Sequence, residues 1–186
     1  EIGSHSYGHE LVYRMSKKQF EDDLKKSIEV IQTVTGKSVK CFRAPGFSIT
    51  DKTKWAFNVL KKNGIDFDAS VFTANRFHGG IKSFQIKSPC LIHTSFGDIR
   101  EFPMSYLNTL IKRLVFTGGG YLRICPRFLV NILANWNDKY NMVYVHPRDF
   151  DIHQPRFKNM SMARYFRTYV GLNTTEEKFK DLVKLK

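Results

Sequence analysis

Cysteine is scarce in this chain. Among 186 residues there are three, Cys41, Cys90 and Cys125, an odd set with no C-x-x-C spacing. That count argues against a disulfide framework and against a thiolate zinc site. The thiols are expected to be reduced and mostly buried, which favours a reducing compartment, the cytoplasm, with the periplasm as the alternative. Long apolar runs are missing too. The best candidate, Leu107 to Phe116, is broken by Lys112 and Arg113 and falls short of the ~18 residues a membrane span needs, so none is expected. The first residues hold neither a Met nor the basic-then-apolar pattern of a signal peptide. Glu1-Ile2-Gly3-Ser4 reads as the tail of a strand entering a turn, and an upstream segment is expected. Acidic residues are in deficit, 17 against 30 basic ones, giving a net charge of +13. Such a surplus suits a polyanion, an anionic glycan, a lipid-linked sugar or peripheral contact with a membrane surface. Nucleic acid is not expected as a partner. The lysines (Lys17, Lys18, Lys25, Lys26, Lys61, Lys62) are scattered over helices, with no Arg-aromatic stripe and no helix-turn-helix or zinc-finger pattern.

What is present is a regular alternation. Apolar residues make up 42% of the chain, enough for a real core in one domain spanning 1–186. Ser16-Lys17-Lys18-Gln19 has the form of a capping box, followed by Phe20, Leu24, Ile28, Ile31 and Val34 at helical spacing up to Gly36. A strand is expected over Val39 to Phe42, and a helix from Thr50 or Asp51 carrying Trp55, Val59 and Leu60 inward to Asn63-Gly64. Ile65 to Val71 reads as the next strand. Residues 72–98 read as a long excursion with short strands, and Ile99 to Phe102 as another strand. A helix is expected from Pro126 through Phe128, Leu129, Ile132, Leu133 and Trp136, a strand over Met142 to Val145, and a last helix capped by Thr174 or Thr175 with Phe179 and Leu182 inward. Short apolar strands alternating with amphipathic helices predict an α/β fold with a parallel sheet.

Polar residues recur at the C-terminal ends of these strands: His5 and His9, then Arg43, Asp68 and His146. In a barrel-like α/β fold those ends converge on one face, where active sites are built. His5 and His9 alone are open between a turn pair and two metal ligands; imidazole suits zinc, cobalt or nickel, and a hydrolytic site needs a third ligand and an open water position. His146, followed by Pro147, is either a strand cap or a general acid near neutral pH. Asp68 could be a turn residue and Arg43 a surface cation. His78 and His153 read as non-catalytic. Gly118-Gly119-Gly120 lacks the Lys-Ser/Thr of a phosphate loop and reads as a tight turn.

The ordered motifs H-S-Y-G-H (His5 to His9), R-A-P-G-F-S (Arg43 to Ser48), F-D-A-S-V-F (Phe67 to Phe72) and V-Y-V-H-P (Val143 to Pro147) resemble the NodB-homology polysaccharide deacetylases. They are most similar to a branch tied to surface and exopolysaccharide synthesis. R-x-H-G-G (Arg76 to Gly80), E-F-P-M-S (Glu101 to Ser105), G-G-G-Y-L-R (Gly118 to Arg123) and Q-P-R (Gln154 to Arg156) extend the resemblance over essentially the whole chain. It implies a distorted (β/α) barrel with a groove at the strands' C-terminal ends. It implies removal of N-acetyl groups from the amino sugars of a bacterial polysaccharide or glycan precursor. By resemblance His5 and His9 bind a divalent metal, zinc first, Arg43 orients the catalytic carboxylate, Asp68 pairs with the catalytic histidine, and His146 is the general acid. The family's Asp-containing first motif, source of the base and third ligand, has no match in these residues. It is expected upstream of Glu1, so the barrel is expected to be N-terminally incomplete, with an unpaired strand edge. Two rival readings remain: a deacylase of a small cyclic amide, and a non-catalytic glycan- or polyanion-binding domain of the same fold.

Overall fold

The computed structural model describes residues 1–74, 79–108, 113–136 and 140–184. They form two compact units, Glu1–Met104 with Leu110–Arg113, and Ser105–Thr109 with Leu114–Lys186.

The first unit is built on a sheet. Strands β1 (Gly3–Ser4), β2 (Cys41–Phe42), β3 (Phe67–Asp68), β4 (Cys90–Thr94) and β5 (Gly97–Glu101) stand in the order β1-β2-β3-β5-β4. The first three pairings are parallel and β4 adds an antiparallel hairpin edge to β5. Helix α1 (Lys17–Thr35) begins as expected. Ser16 accepts from the Gln19 amide, Gln19 reaches back to the Ser16 amide, and Gly36 closes the helix in the left-handed conformation at φ 67°. Its buried stripe is Phe20, Leu24 and Ser27, with Ile28 and Ile31 packed beside it; Val34, expected inward, is 79% exposed in the last turn. Helix α2 (Trp55–Lys62) starts later than Thr50, because Thr50 and Thr53 are spent on a turn in which the Thr53 hydroxyl accepts from the Thr50 amide at 2.8 Å. Phe20 meets Phe42 and Trp55 edge-on, with ring centroids 5.8 and 5.9 Å apart, which ties both helices to the sheet.

Register decides which strand-end residues share a face. Ser4, Phe42, Asp68 and Glu101 are partners in one row across β1, β2, β3 and β5. Ser4 bonds Ser27 of α1 at 2.7 Å and Phe42 packs on Phe20, so this row lies on the helix-covered side. His5 and Arg43 follow one residue later, where the side-chain period of two turns them to the other face.

The second unit is helical: α3 (Gly119–Ile124), α4 (Arg127–Trp136), α5 (Met162–Tyr169) and α6 (Leu172–Lys184). Short strands β6 (Leu107–Asn108) and β7 (Arg113–Leu114) precede them. Its core gathers Phe116, Leu122, Val130, Leu133, Ala134 and Leu182. Two expectations are corrected here. Met142 to Val145 forms no strand; it makes a single parallel bridge, Tyr144 to Gly118, and otherwise hangs on side chains, with Ser105 and Thr117 hydroxyls bonding Met142 N and O at 2.7 Å each. The last helix begins at Leu172 rather than at a threonine cap, and Thr174 and Thr175 donate from inside its first turn to the Gly171 carbonyl. The Gly118-Gly119-Gly120 run serves close packing: a Cβ on Gly118 would stand 2.1 Å from the Tyr144 ring. No helix among the described residues is long and apolar enough to cross a membrane.

The α/β class with a parallel sheet is therefore as the sequence predicts, and closure into a barrel is not seen among the described residues. The three cysteines are free and half-buried.

Candidate active-site residues in two clusters

In the first unit the histidine pair is built by a strained loop. Ser6 and His9 both hold positive φ, 69° and 54°, a region L-residues seldom adopt. The loop is pinned from α1, where the Asp23 carboxylate accepts from the Tyr7 amide at 3.0 Å and the Gly8 amide at 2.7 Å. The outcome is that His5 and His9 face each other edge-on with ring centroids 5.1 Å apart. Two imidazoles on one tetrahedral zinc, with Zn–N of ~2.0–2.1 Å, would place their centroids ~5 Å apart. His5 Nδ1 contacts the Arg43 carbonyl at 2.5 Å, the arrangement of an outer-shell partner fixing a metal-binding tautomer. The pair thus fits two ligand positions. Among the described residues no group of three or more His, Cys, Asp or Glu side chains could complete a metal site.

The Arg43 carbonyl is itself held from beneath. The peptide joining Arg43 and Ala44 donates its N–H to Ser70 Oγ at 2.8 Å, and Ser70 Oγ donates to Asp68 Oδ1 at 2.7 Å. Asp68 also accepts from the Ser70 amide at 3.0 Å. It is 1% exposed and sits beside the equally buried Glu101, whose Oε1 accepts from the Val71 amide at 3.0 Å. Burial pushes the Asp68 carboxyl up, against bonds from Glu101, Ser70 and Ala69 that pull it down. Burial, and then the Asp68 charge, holds Glu101 well above the usual carboxylate range. Asp68 is therefore spent on Ser70, Ala69 and Glu101 on the helix-covered face, one residue out of phase with His5 and Arg43. Of the expected strand-end residues in this unit, the structure brings His5, His9 and the Arg43 main chain together, and places Asp68 underneath them. The half-buried Arg43 contributes its carbonyl, a role the sequence alone did not suggest.

His146 belongs to the second unit and has its own surroundings. It precedes a 3₁₀ turn over Pro147–Asp149, in which the Asp149 amide donates to the His146 carbonyl at 2.9 Å. Asp149 Oδ2 accepts from the His146 amide at 2.9 Å and lies 3.4 Å from Nδ1. The imidazole is 45% exposed while the Asp149 side chain is only 3% exposed. Tyr144 stands edge-on to the His146 ring, with centroids 6.1 Å apart. Behind Asp149 lies Arg123 of α3, which pairs with Oδ1 at 3.1 Å and donates to the Thr168 and Arg167 carbonyls at 2.6 and 2.9 Å. Asp149 matched no expected motif, and Arg123 stood in G-G-G-Y-L-R without a role. His153 is exposed and its amide donates to Asp151 Oδ1 at 2.9 Å; His78 lies outside the described residues.

Comparison with known proteins divides the chain earlier, between residues 67 and 69. Residues 1–67 match the family model described as polysaccharide deacetylase, and residues 69–185 match the one described as domain of unknown function DUF3473. The chain is 38% identical over 71 residues to a peptidoglycan deacetylase of Helicobacter pylori, a match covering 38% of this chain and 23% of that protein. Its fold is similar to a Mycobacterium smegmatis crystal structure assigned to the polysaccharide deacetylases. The TM-score is 0.55 at 18% identity, covering 100% of this chain and 64% of that one. The match thus spans about a quarter of the curated relative and under two thirds of the solved one.

Proposed function

We propose, from the premise that this chain belongs to the DUF3473 family and joins it to a polysaccharide deacetylase segment over residues 1–67, that the protein is a metal-dependent hydrolase. Its reaction is removal of N-acetyl groups from the amino sugars of a bacterial polysaccharide or glycan precursor. The observation that carries this reading is the His5–His9 pair, edge-on at 5.1 Å with His5 Nδ1 fixed on a main-chain carbonyl. His5 and His9 would hold the metal, zinc before cobalt or nickel, through neutral imidazole. When bound, the metal supplies Lewis acidity and a water of lowered pKa at the amide carbonyl. The chain's own residues do the rest. His146 delivers a proton to the departing amine from its exposed ring, while the Arg43–Ala44 peptide and the Asp68–Ser70 turn keep His5 in the ligating tautomer. The +13 charge suits an anionic glycan.

The test uses protein expressed from its complete reading frame. Acetate release from N-acetylglucosamine oligomers and metal content by mass spectrometry are measured side by side. His5→Ala is expected to lose the metal. His146→Ala is expected to keep it and to lose about 10²- to 10⁴-fold in turnover. Unchanged acetate release in both variants refutes the assignment. Glycan binding with neither metal nor acetate release makes the protein a binding domain of this fold.

A further inference from the structure

We infer that Asp149, anchored by Arg123, is the positioning carboxylate of His146; the inference rests on the role just given to His146. Three features point to it. First, Asp149 touches His146 twice, at the main-chain amide (2.9 Å) and beside Nδ1 (3.4 Å), so ring and backbone refer to one oxygen, Oδ2. Second, the carboxylate is buried on the far side of a half-exposed imidazole, so it cannot reach substrate itself and acts only through the ring. Third, it does not stand alone. Arg123 sets its Nε 3.1 Å from Asp149 Oδ1 as an ion pair and donates to two main-chain carbonyls at the end of α5. A buried Arg held this way fixes the carboxylate in place rather than merely neutralising it.

The consequence is tautomeric. A carboxylate beside Nδ1 favours the proton on Nδ1 and leaves Nε2 as the nitrogen that exchanges protons at the exposed edge. A general acid needs that orientation before any substrate arrives. The surroundings are built for it. Gly171 lets α6 start against α3, since a Cβ there would stand 2.0 Å from the Arg123 carbonyl oxygen, and Tyr144 walls the ring on another side. The acid's partner comes from the acid's own turn, three residues downstream.

The test reads the ring directly. In ¹⁵N-histidine-labelled protein, long-range ¹H–¹⁵N spectra of neutral His146 should show the Nδ1–H tautomer dominant. Asp149→Asn, which keeps shape and an oxygen for the His146 amide, should return the ring toward an unconstrained mixture. It should also lower kcat by about 10²-fold with KM within about twofold. Should Asp149→Asn not fold, Asp149→Glu keeps the buried charge beside Arg123 and must shift the same signals. An unchanged tautomer in a folded variant overturns the inference, even if turnover falls. So does a shifted tautomer with unchanged kcat in an active enzyme. A shifted tautomer in a protein that releases no acetate upholds the positioning and refutes the deacetylase reading instead.

Discussion

Replacing Glu101 by Gln should stabilise the first unit above pH 5, and the reason lies in the buried row of the sheet. Glu101 is 0% and Asp68 1% exposed, and they are register partners. Two such carboxyls cannot both be charged, and Glu101 is the one held well above its ordinary 4.5. The sign follows from linkage. Below the ordinary value Glu101 is protonated in both folded and unfolded chains, and its favourable contribution is complete. Above it the unfolded chain releases the proton while the folded chain retains it, so stability falls by about 1.4 kcal/mol per pH unit until the raised folded value is reached. Gln cannot ionise, and it keeps an acceptor for the Val71 amide and a donor for Asp68. The variant should match the wild type below pH 4.5 and gain on it as the pH rises, by at most about 1.4 kcal/mol per pH unit. Urea unfolding followed by fluorescence of Trp55, which packs on Phe20, reads this unit; Trp136, 78% exposed, is first replaced by Phe. A pH slope equal to the wild type's, or a variant less stable at pH 7, refutes the shared-proton account.

Two further substitutions test the supports of the clusters. Ser70→Ala strands the Ala44 amide and Asp68 Oδ1, both buried, so the first unit should lose about 1–3 kcal/mol. The His5 ring, no longer resting on a fixed carbonyl, should also bind Zn²⁺ about tenfold more weakly by competition titration; wild-type affinity would detach Ser70 from the histidine pair. Gly171→Ala puts a Cβ 2.0 Å from the Arg123 carbonyl oxygen at φ 69°, and the second unit should lose at least about 2 kcal/mol by hydrogen exchange of α3 and α6 amides. A loss under about 0.5 kcal/mol would show that the close approach is not required.

Local signals were legible and long-range ones were not. The Ser16 box and Gly36 stop act within one turn, so the start and end of α1 could be read from the sequence. The His5–His9 pair was legible because its spacing and the motif order lie on one line. The Met142 to Val145 strand was misread for the opposite reason: its composition suits a strand, but a strand also needs a partner, and only Gly118 supplies a bridge. Glu101 shows the same limit. A carboxylate two residues before a proline looks like a strand end facing water. Only the register to Asp68 reveals that it is buried. Arg123 looks like the surface charge of a short helix until Asp149, 26 positions on by sequence number, is found against it.

The period of two along a strand explains why the strand-end residues separate into two kinds. His5 and Arg43 follow the row of Ser4, Phe42, Asp68 and Glu101 by one position, so neighbours in sequence serve opposite faces. A side chain on the helix-covered face cannot reach a substrate, yet it can act on the other face through the backbone between them. The Arg43–Ala44 peptide does this: its N–H points down to Ser70 and Asp68, and its C=O points up to His5. A donor bond to the N–H side polarises the amide and strengthens its carbonyl as an acceptor, so the buried carboxylate reinforces the imidazole through one planar group. His146 is supported by the same logic at shorter range, with Arg123 below, Asp149 between and the ring at the surface. Each of these two imidazoles stands on a buried carboxylate, Asp68 or Asp149. A search for further sites of this kind would therefore begin from buried acids and work outward to the histidines they hold.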